Sequence, residues 1–185
     1  MPSNRKSKTV TSDRIIFLTG EISDDSVSVI AKQLFTLDDP DRDILLVLNS
    51  CGGSIDAALF LTNIFKLLRS DIAVLAPGAA QSAATFILVC GTPGKRLAMP
   101  GASAMMHGST YEMPEGPHLV QKSYVDYQHR TDKLLSEIMT NKGVKNSKSG
   151  LASEYHFYVG EEIVDAGMAD YIVNSLADLN KYVKM

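Results

Sequence analysis

Short continuous apolar runs alternate with amphipathic segments along the first half of the chain. Runs of this kind, rich in Ile, Leu and Val, are typical of strands that are buried on both faces. They predict strands over 14–19, 43–49, 72–76 and 104–107. The segments between them have helical apolar spacing or helix start signals, and they predict helices over 23–35, 55–68 and 82–90. This alternation predicts an α/β fold with parallel strands.

One long helix dominates the pattern of the second half. Pro117 stands at a favourable first helical position and Gly143 just beyond a favourable end, so a helix is predicted over about 117–142. It carries a seam with a period of about 3.5 residues, formed by Val120, Tyr124, Tyr127, Thr131, Leu134 and Ile138. Such a seam packs either on a partner chain or on the protein's own core, and the spacing supports both. A loop over 141–153, a helix over 160–169, a strand over 171–173 and a short last helix complete the chain.

No charged residue lies between Asp71 and Lys95, and this stretch is long enough to cross a bilayer. Polar and helix-breaking residues interrupt it, namely Pro77, Gly78, Gln81, Ser82 and Thr85. The mixture predicts a buried strand, a tight turn and a buried helix, and no membrane span.

Composition narrows the class of protein. The chain has 185 residues, the length of one ordinary domain, and a formal net charge of −3. This mildly acidic balance is a poor match for sequence-independent nucleic-acid binding. Two cysteines, Cys51 and Cys90, make no disulfide framework and favour a reducing compartment. Residues 1–13 are basic with no apolar run behind them, so we expect a short basic tail rather than a secretory signal, and a cytoplasmic protein.

Three segments combine into a candidate acyl-transfer site. The first, Asn49-Ser50-Cys51-Gly52-Gly53, follows a buried strand directly. Its two glycines allow a sharp turn and offer backbone N–H groups to a negative oxygen. Gly-Gly pairs are common in strand-to-helix turns, so this segment alone is a weak signal.

The second segment, 78–84, places Ser82 where a strand ends, small residues crowd the turn and a helix begins. A serine there projects away from the backbone, and the N–H of Ala83 lies at the positive end of the helix. On this segment alone, the alternative that Ser82 is only a helix N-cap is the more frequent one.

The third segment ends in His107, where a core strand leaves the sheet, and site residues tend to lie at such positions. A lone histidine there is still more often structural than catalytic. Two of the other histidines, His118 and His129, lie on the polar face of the long helix, and His156 lies near a loop end.

Together these segments resemble one family, the proteolytic subunit of the Clp protease, an ATP-dependent serine peptidase. Ser82 follows Gly53 by 29 residues and precedes His107 by 25, as in the family pattern. The resembling segments are the first core strand (14–20), the family's Asn-Ser-Pro-Gly-Gly turn (49–53), its nucleophile turn (78–83) and the segment ending in its histidine (94–100 and 105–107). The resemblance covers roughly 14–173.

The resemblance implies a serine-peptidase site. Ser82 would attack the scissile carbonyl, and His107 would take its proton and return it to the leaving amine. The N–H groups of Gly53 and Ala83 would bind the oxyanion. We expect no metal and no organic cofactor.

The resemblance also implies an architecture and partners. We expect one domain over 14–185 with a crotonase-like fold, in which stacked ββα units carry a protruding handle helix at about 117–142. In the family this helix interlocks two seven-membered rings around a closed chamber, so we expect a homo-oligomeric heptamer or double ring. An AAA+ unfoldase would hydrolyse the ATP, because this chain has no P-loop. The substrates would be unfolded proteins or peptides, and we expect no nucleic-acid or membrane partner.

The sequence departs from the family at the third catalytic residue. Aligned through Phe157 and Gly167, the family's acid falls on Tyr155, with Glu154 beside it. The Tyr155 hydroxyl is expected to orient His107 without a charge. Glu154 is the alternative third member, because its longer side chain would reach His107 if the loop were shifted, although neighbouring side chains of an extended segment point to opposite faces. Loss of the acid can cost about 10⁴ in rate, so we expect a slow peptidase. Cys51 also replaces the family's proline.

Two other functions match parts of the sequence. Tyr155 favours a catalytically weak or inactive ring subunit that scaffolds an active paralogue, although such a subunit would need neither Ser82 nor His107. A crotonase-type enzyme acting on acyl-CoA would share the fold and the oxyanion N–H groups, but it would need an acid or base in place of the serine. The sequence therefore favours the serine endopeptidase.

Overall fold

A computed structural model describes residues 12–108, 115, 117–145 and 155–184. The strands in these ranges are β1 (Ile15–Thr19), β2 (Ile44–Asn49), β3 (Ile72–Ala76), β4 (Ala79–Gln81), β5 (Arg96–Ala98), β6 (Ser103–Met106), β7 (His156–Val159) and β8 (Tyr171–Ile172). The helices are α1 (Asp24–Leu37), α2 (Ile55–Phe65), α3 (Ala83–Cys90), α4 (His118–Asn141), α5 (Glu161–Asp165) and α6 (Leu176–Tyr182). Most of the predicted basic tail and Glu154 lie outside the described residues.

Two sheets organise the chain. The larger is parallel throughout, in the order β1-β2-β3-β5-β8. In the smaller one β4 runs parallel to β6, and β7 pairs with β6 in the antiparallel direction. The sheets meet where Ser50 bridges Ala80, with the Ser50 N–H donating to the Ala79 carbonyl at 2.7 Å and the Gln81 N–H donating to the Ser50 carbonyl at 3.0 Å. The predicted α/β class with mostly parallel strands is confirmed.

Three strands have no counterpart in the sequence prediction. β4 and β5 have three residues each, too few to show a period. β7 is an edge strand whose Phe157 and Val159 are exposed, so its pattern is not that of a buried strand. These short strands form because longer neighbours supply their hydrogen-bond partners.

The hydrophobic core lies on both faces of the larger sheet. Alternate strand residues point to opposite sides, so Leu46 and Val74 pack in the main core, with residues of α1, α2 and α3, while Leu45 and Ala73 pack on the other side with residues of α6 such as Leu179. α3 is buried along its whole length, in agreement with its uninterrupted apolar sequence.

The uncharged stretch between Asp71 and Lys95 forms β3, β4 and α3, as a strand, a turn region and a buried helix. The three-residue β4 was not expected. Among the described residues, no helix has both the length and the apolar character that a membrane crossing requires.

α4 closely matches its predicted range, with Pro117 at its N-cap and Lys142 at its C-cap. Its buried side chains are Thr131, Leu135 and Met139, all in its second half. The predicted seam divides between two environments. Its members Val120, Tyr127 and Leu134 are exposed, Thr131 is buried, and Ile138 is partly buried against the core. The seam therefore meets the protein's own core at Thr131 and Ile138 but not at Leu134 between them.

A buried guanidinium joins the end of α4 to the segment before β8. Arg96 in β5 is 7% exposed and donates to both carboxylate oxygens of Asp170. It also donates to the carbonyl oxygens of Lys142 and Gly167, each at 3.0 Å. Burial raises the pKa of the Asp170 carboxyl, but hydrogen bonds from Arg96 outweigh that effect, so this pKa lies below its ordinary value.

Asp170→Asn should lower the free energy of unfolding by about 3 kcal/mol, because it leaves the buried Arg96 charge without its counterion. Urea unfolding measures this difference. The Asp170 carboxylate stabilises the fold above its ordinary pKa of 3.8, and this contribution is lost as the pH falls through its lower value in the folded state. The gap between wild type and variant should therefore be constant at neutral pH and shrink only below about pH 4.

Asp178→Asn is the matched control, because Asp178 also pairs with a cation, Lys181, but on the surface. It should change the unfolding midpoint little. Equal midpoints for wild type and Asp170→Asn would show that the Arg96 network does not stabilise the fold.

Candidate active site

Ser82 has a strained backbone between β4 and α3. Its φ is 54° and its ψ −123°, and no other non-glycine residue in the described ranges has a positive φ. Such a conformation costs on the order of 1–3 kcal/mol and persists only where the surroundings enforce it. The Ser82 N–H donates to the Met105 carbonyl at 2.7 Å, so the pairing with β6 maintains the turn.

The Ser82 side chain points to His107 rather than to its helix. It makes no capping hydrogen bond to α3, and its Oγ lies 2.8 Å from His107 Nε2. The alternative that Ser82 is only an N-cap does not describe this geometry. A hydroxyl at this distance from an imidazole nitrogen can pass its proton to the ring as the oxygen attacks an electrophile.

The register of two parallel strands explains why these residues meet. Gln81 in β4 is paired with Met105 in β6, so both chains leave the smaller sheet at the same edge. Ser82 follows β4 immediately and His107 follows β6 immediately. Two residues that are 25 positions apart in the sequence therefore become neighbours through strand pairing.

The buried side chain of Thr85 forms hydrogen bonds with both strands at this edge. It is 1% exposed, and its Oγ1 lies 2.6 Å from the Ala80 carbonyl oxygen and 2.8 Å from that of Met105, while accepting from the Met105 N–H at 3.2 Å. The hydroxyl thus joins α3 to β4 and β6, the elements that carry Ser82 and His107. This role was not predicted from the sequence, although a single polar residue in an apolar helix signals a buried hydrogen bond.

The Gly52-Gly53 turn packs directly on the Ser82 turn. Gly52 has a φ of 111°, and a Cβ built on it would lie 2.8 Å from the Cβ of Ser82 and 2.9 Å from the carbonyl oxygen of Gln81. Gly53 has a φ of 144°, and a Cβ there would overlap the Ile22 carbonyl oxygen. Side chains are therefore excluded at both positions.

Two backbone donors remain available at this contact. The Ala83 N–H lies in the first turn of α3, and the Gly53 N–H belongs to the packed turn. Within the described residues neither donates to a protein acceptor, whereas the Gly52 N–H donates to Ser50 Oγ at 3.0 Å. Unpaired N–H groups beside a nucleophile can bind an oxyanion. An open cleft of about 470 Å³ borders the same turn and includes the exposed Cys51 in its wall.

Comparison with known proteins identifies the family of the chain. The family model described as Clp protease matches residues 3–176. The chain belongs to the Clp protease family. Membership supports a peptidase of the hydrolase class, and the matched range includes every residue of the candidate site, from Gly53 to Tyr155.

The third position of the candidate site departs from the expectation. The ring of Tyr155 stacks on that of His107, with centroids 4.9 Å apart and planes inclined by 20°. Imidazole N–H groups donate in the plane of the ring, so a phenol stacked on its face does not place its hydroxyl to accept from them. In the described residues no carboxylate is hydrogen-bonded to His107. The expectation that the Tyr155 hydroxyl orients His107 is therefore not met.

Gly52→Ala should displace the Ser82 turn, because the new Cβ would overlap Ser82 and Gln81. A displacement of about 1 Å can cost about 100-fold in rate. We expect the rate of fluorophosphonate labelling to fall by that order, together with the unfolding temperature.

Gly94→Ala is the matched control, because it introduces backbone strain at a positive φ without a steric overlap. Gly94 also has a positive φ, of 81°, but a Cβ there would meet nothing within 4 Å. It should lower the unfolding temperature slightly and leave labelling unchanged. If Gly52→Ala labelled as fast as Gly94→Ala, the close packing of the two turns would not govern the site.

Proposed function

We propose that this chain is a serine-type endopeptidase subunit of a ring-shaped, ATPase-fed protease that hydrolyses unfolded proteins or peptides. One observation carries the proposal, the 2.8 Å approach of Ser82 Oγ to His107 Nε2 at a strained turn. A structural serine needs neither the strained backbone nor the imidazole. Membership of the Clp protease family supports the same reaction class.

The reaction follows from this geometry. Ser82 Oγ attacks the scissile carbonyl carbon, and His107 Nε2 accepts the hydroxyl proton. The carbonyl oxygen becomes an oxyanion, which the N–H groups of Gly53 and Ala83 bind. His107 then protonates the leaving amine, and an acyl-enzyme remains on Ser82. Water attacks the acyl carbon, His107 takes the proton of that water, and the serine leaves with the proton restored.

The catalytic rate is expected to be low. A carboxylate that holds the imidazole in the useful tautomer is worth about 10⁴ in rate, and Tyr155 stands near that place. The same observation favours the second candidate, a weak or inactive ring subunit that scaffolds an active paralogue. Labelling of Ser82 by a serine-directed reagent separates the two.

Assembly is the second part of the proposal. The chain would form a homo-oligomeric heptamer or double ring in the cytoplasm, with α4 as the handle helix and an AAA+ unfoldase as the partner. The support is that Val120 and Leu134 on α4 are about half exposed, at 48% and 47%, although both are apolar. Apolar residues in this position are stabilised when a second chain covers them.

Ser82→Ala should abolish labelling by a fluorophosphonate and hydrolysis of a small peptide ester, because it removes the only atom proposed to form the acyl bond. Intact-mass analysis and mapping of the labelled peptide measure the result. The oligomeric state should not change.

Ser123→Ala is the matched control, since it makes the same substitution on the exposed surface of α4. It should be labelled as fast as wild type. Labelling of Ser82→Ala on another serine would refute the assignment, and an unlabelled wild type that still forms rings would favour the scaffold.

Val120→Glu combined with Leu134→Glu should weaken the larger assembly, because two exposed apolar side chains would become charged at the proposed contact. Native mass spectrometry at micromolar concentration measures the species. Ile138 is left unchanged, since it packs against the core.

Lys122→Glu alters the net charge by the same −2 units as the double variant, again on α4, but it removes no apolar contact. It should keep the assembly of the wild type. A monomeric wild type would refute the ring and the closed chamber together.

A further inference from the structure

The stacking of Tyr155 on His107 follows from strand pairing. β6 and β7 are antiparallel neighbours, and Met106 is paired with His156. Continuing this register by one residue places His107 beside Tyr155. The two rings are then a cross-strand aromatic pair, a type of contact that stabilises both side-chain positions.

This contact limits how His107 can move. The imidazole is held at its edge by Ser82, at 2.8 Å from Nε2, and on its face by the Tyr155 ring. Rotation of the imidazole about its side-chain bonds would break the stack and the hydrogen bond together. The stack therefore performs the orienting part of the task that a carboxylate performs elsewhere.

The Tyr155 ring can also stabilise a positive charge on His107. When Ser82 attacks, His107 becomes an imidazolium, and an aromatic face within about 6 Å attracts a cation. The centroid distance of 4.9 Å lies inside that range. Attraction of this kind corresponds to about 2- to 30-fold in rate, far less than the 10⁴ that a missing acid can cost.

We propose that Tyr155 is a positioning residue that acts through its ring face, holding His107 against Ser82 and stabilising the imidazolium, and that its hydroxyl is dispensable. The inference rests on the proposed peptidase function. It assigns to Tyr155 a role different from a hydrogen-bonding third member of a triad.

The test compares Tyr155→Phe with Tyr155→Leu, using a small peptide ester. Tyr155→Phe keeps the stack and should retain kcat within about twofold. Tyr155→Leu should lose about 10- to 30-fold in kcat with KM unchanged, since the ring contacts His107 and not the substrate.

Phe157→Leu is the matched control, because it removes another exposed aromatic ring from the same region of chain. It should keep the kcat of the wild type. Two outcomes would overturn the inference: a Tyr155→Phe variant as slow as Tyr155→Leu, or a Tyr155→Leu variant as fast as wild type.

A second measurement is independent of turnover. In NMR spectra the ring current of Tyr155 should shift the His107 ring protons upfield in wild type and Tyr155→Phe, and the shift should vanish in Tyr155→Leu. Unmoved His107 signals in Tyr155→Leu would overturn the stacking role itself. Failure of Ser82 labelling in wild type, with these shifts intact, would instead point to failure of the peptidase function.

Discussion

The close approach of two backbone turns is the constraint on which the site depends. Gly52 packs on Ser82 with no room for a Cβ, and this is possible because Ser50 and Ala80 bridge the larger sheet to the smaller one. The bridge fixes the distance between the turns, and among the described residues the N–H groups of Gly53 and Ala83 have no protein acceptor there. Any shift of one sheet on the other would move the Gly53 N–H away from Ser82 and Ala83.

The second constraint is the alignment of β4 with β6. The Ser82 N–H to Met105 carbonyl bond and the buried Thr85 hydroxyl join the two strands at the point where both end. A buried donor or acceptor left without a partner costs about 1–3 kcal/mol, which is similar to the cost of the strained Ser82 backbone. The hydrogen bonds that depend on this turn therefore offset its strain. The hydrogen-bonded end of the smaller sheet therefore holds Ser82 in its strained conformation.

The site combines strong and weak elements. The proposed nucleophile, base and oxyanion donors are placed by sheet geometry, whereas the group proposed to orient His107 is an exposed aromatic ring, 59% accessible, at the start of an edge strand. A ring face is a weaker partner for an imidazolium than a carboxylate. Under the proposed function, we expect acylation by reactive carbonyl substrates to be faster than hydrolysis of ordinary amides.

The sequence alone determined the order of the long elements and the two candidate catalytic positions. Continuous apolar runs and helix caps locate β1, β2, β3, α1, α2 and α4, because these elements are long enough to show a period. The candidate pair could be identified from the small residues around Ser82 and from the strand before His107. Both are local signals, because the conformation of a turn depends mainly on the residues next to it in the sequence. The sequence also identified Tyr155 as the departure from the family, but not what its side chain does.

Only the tertiary structure decided the rest, for a physical reason in each case. β4, β5 and β7 exist because partner strands supply hydrogen bonds that a few residues cannot provide for themselves. The Thr85 contacts and the Tyr155 stack join residues that are distant in sequence, so no local pattern encodes them. The α4 seam divides into exposed Leu134 and buried Thr131 because α4 packs on the core through the row of every fourth residue that begins at Thr131, and Leu134 lies beside that row. Spacing along a chain specifies which residues share a helix face, but packing decides what that face meets.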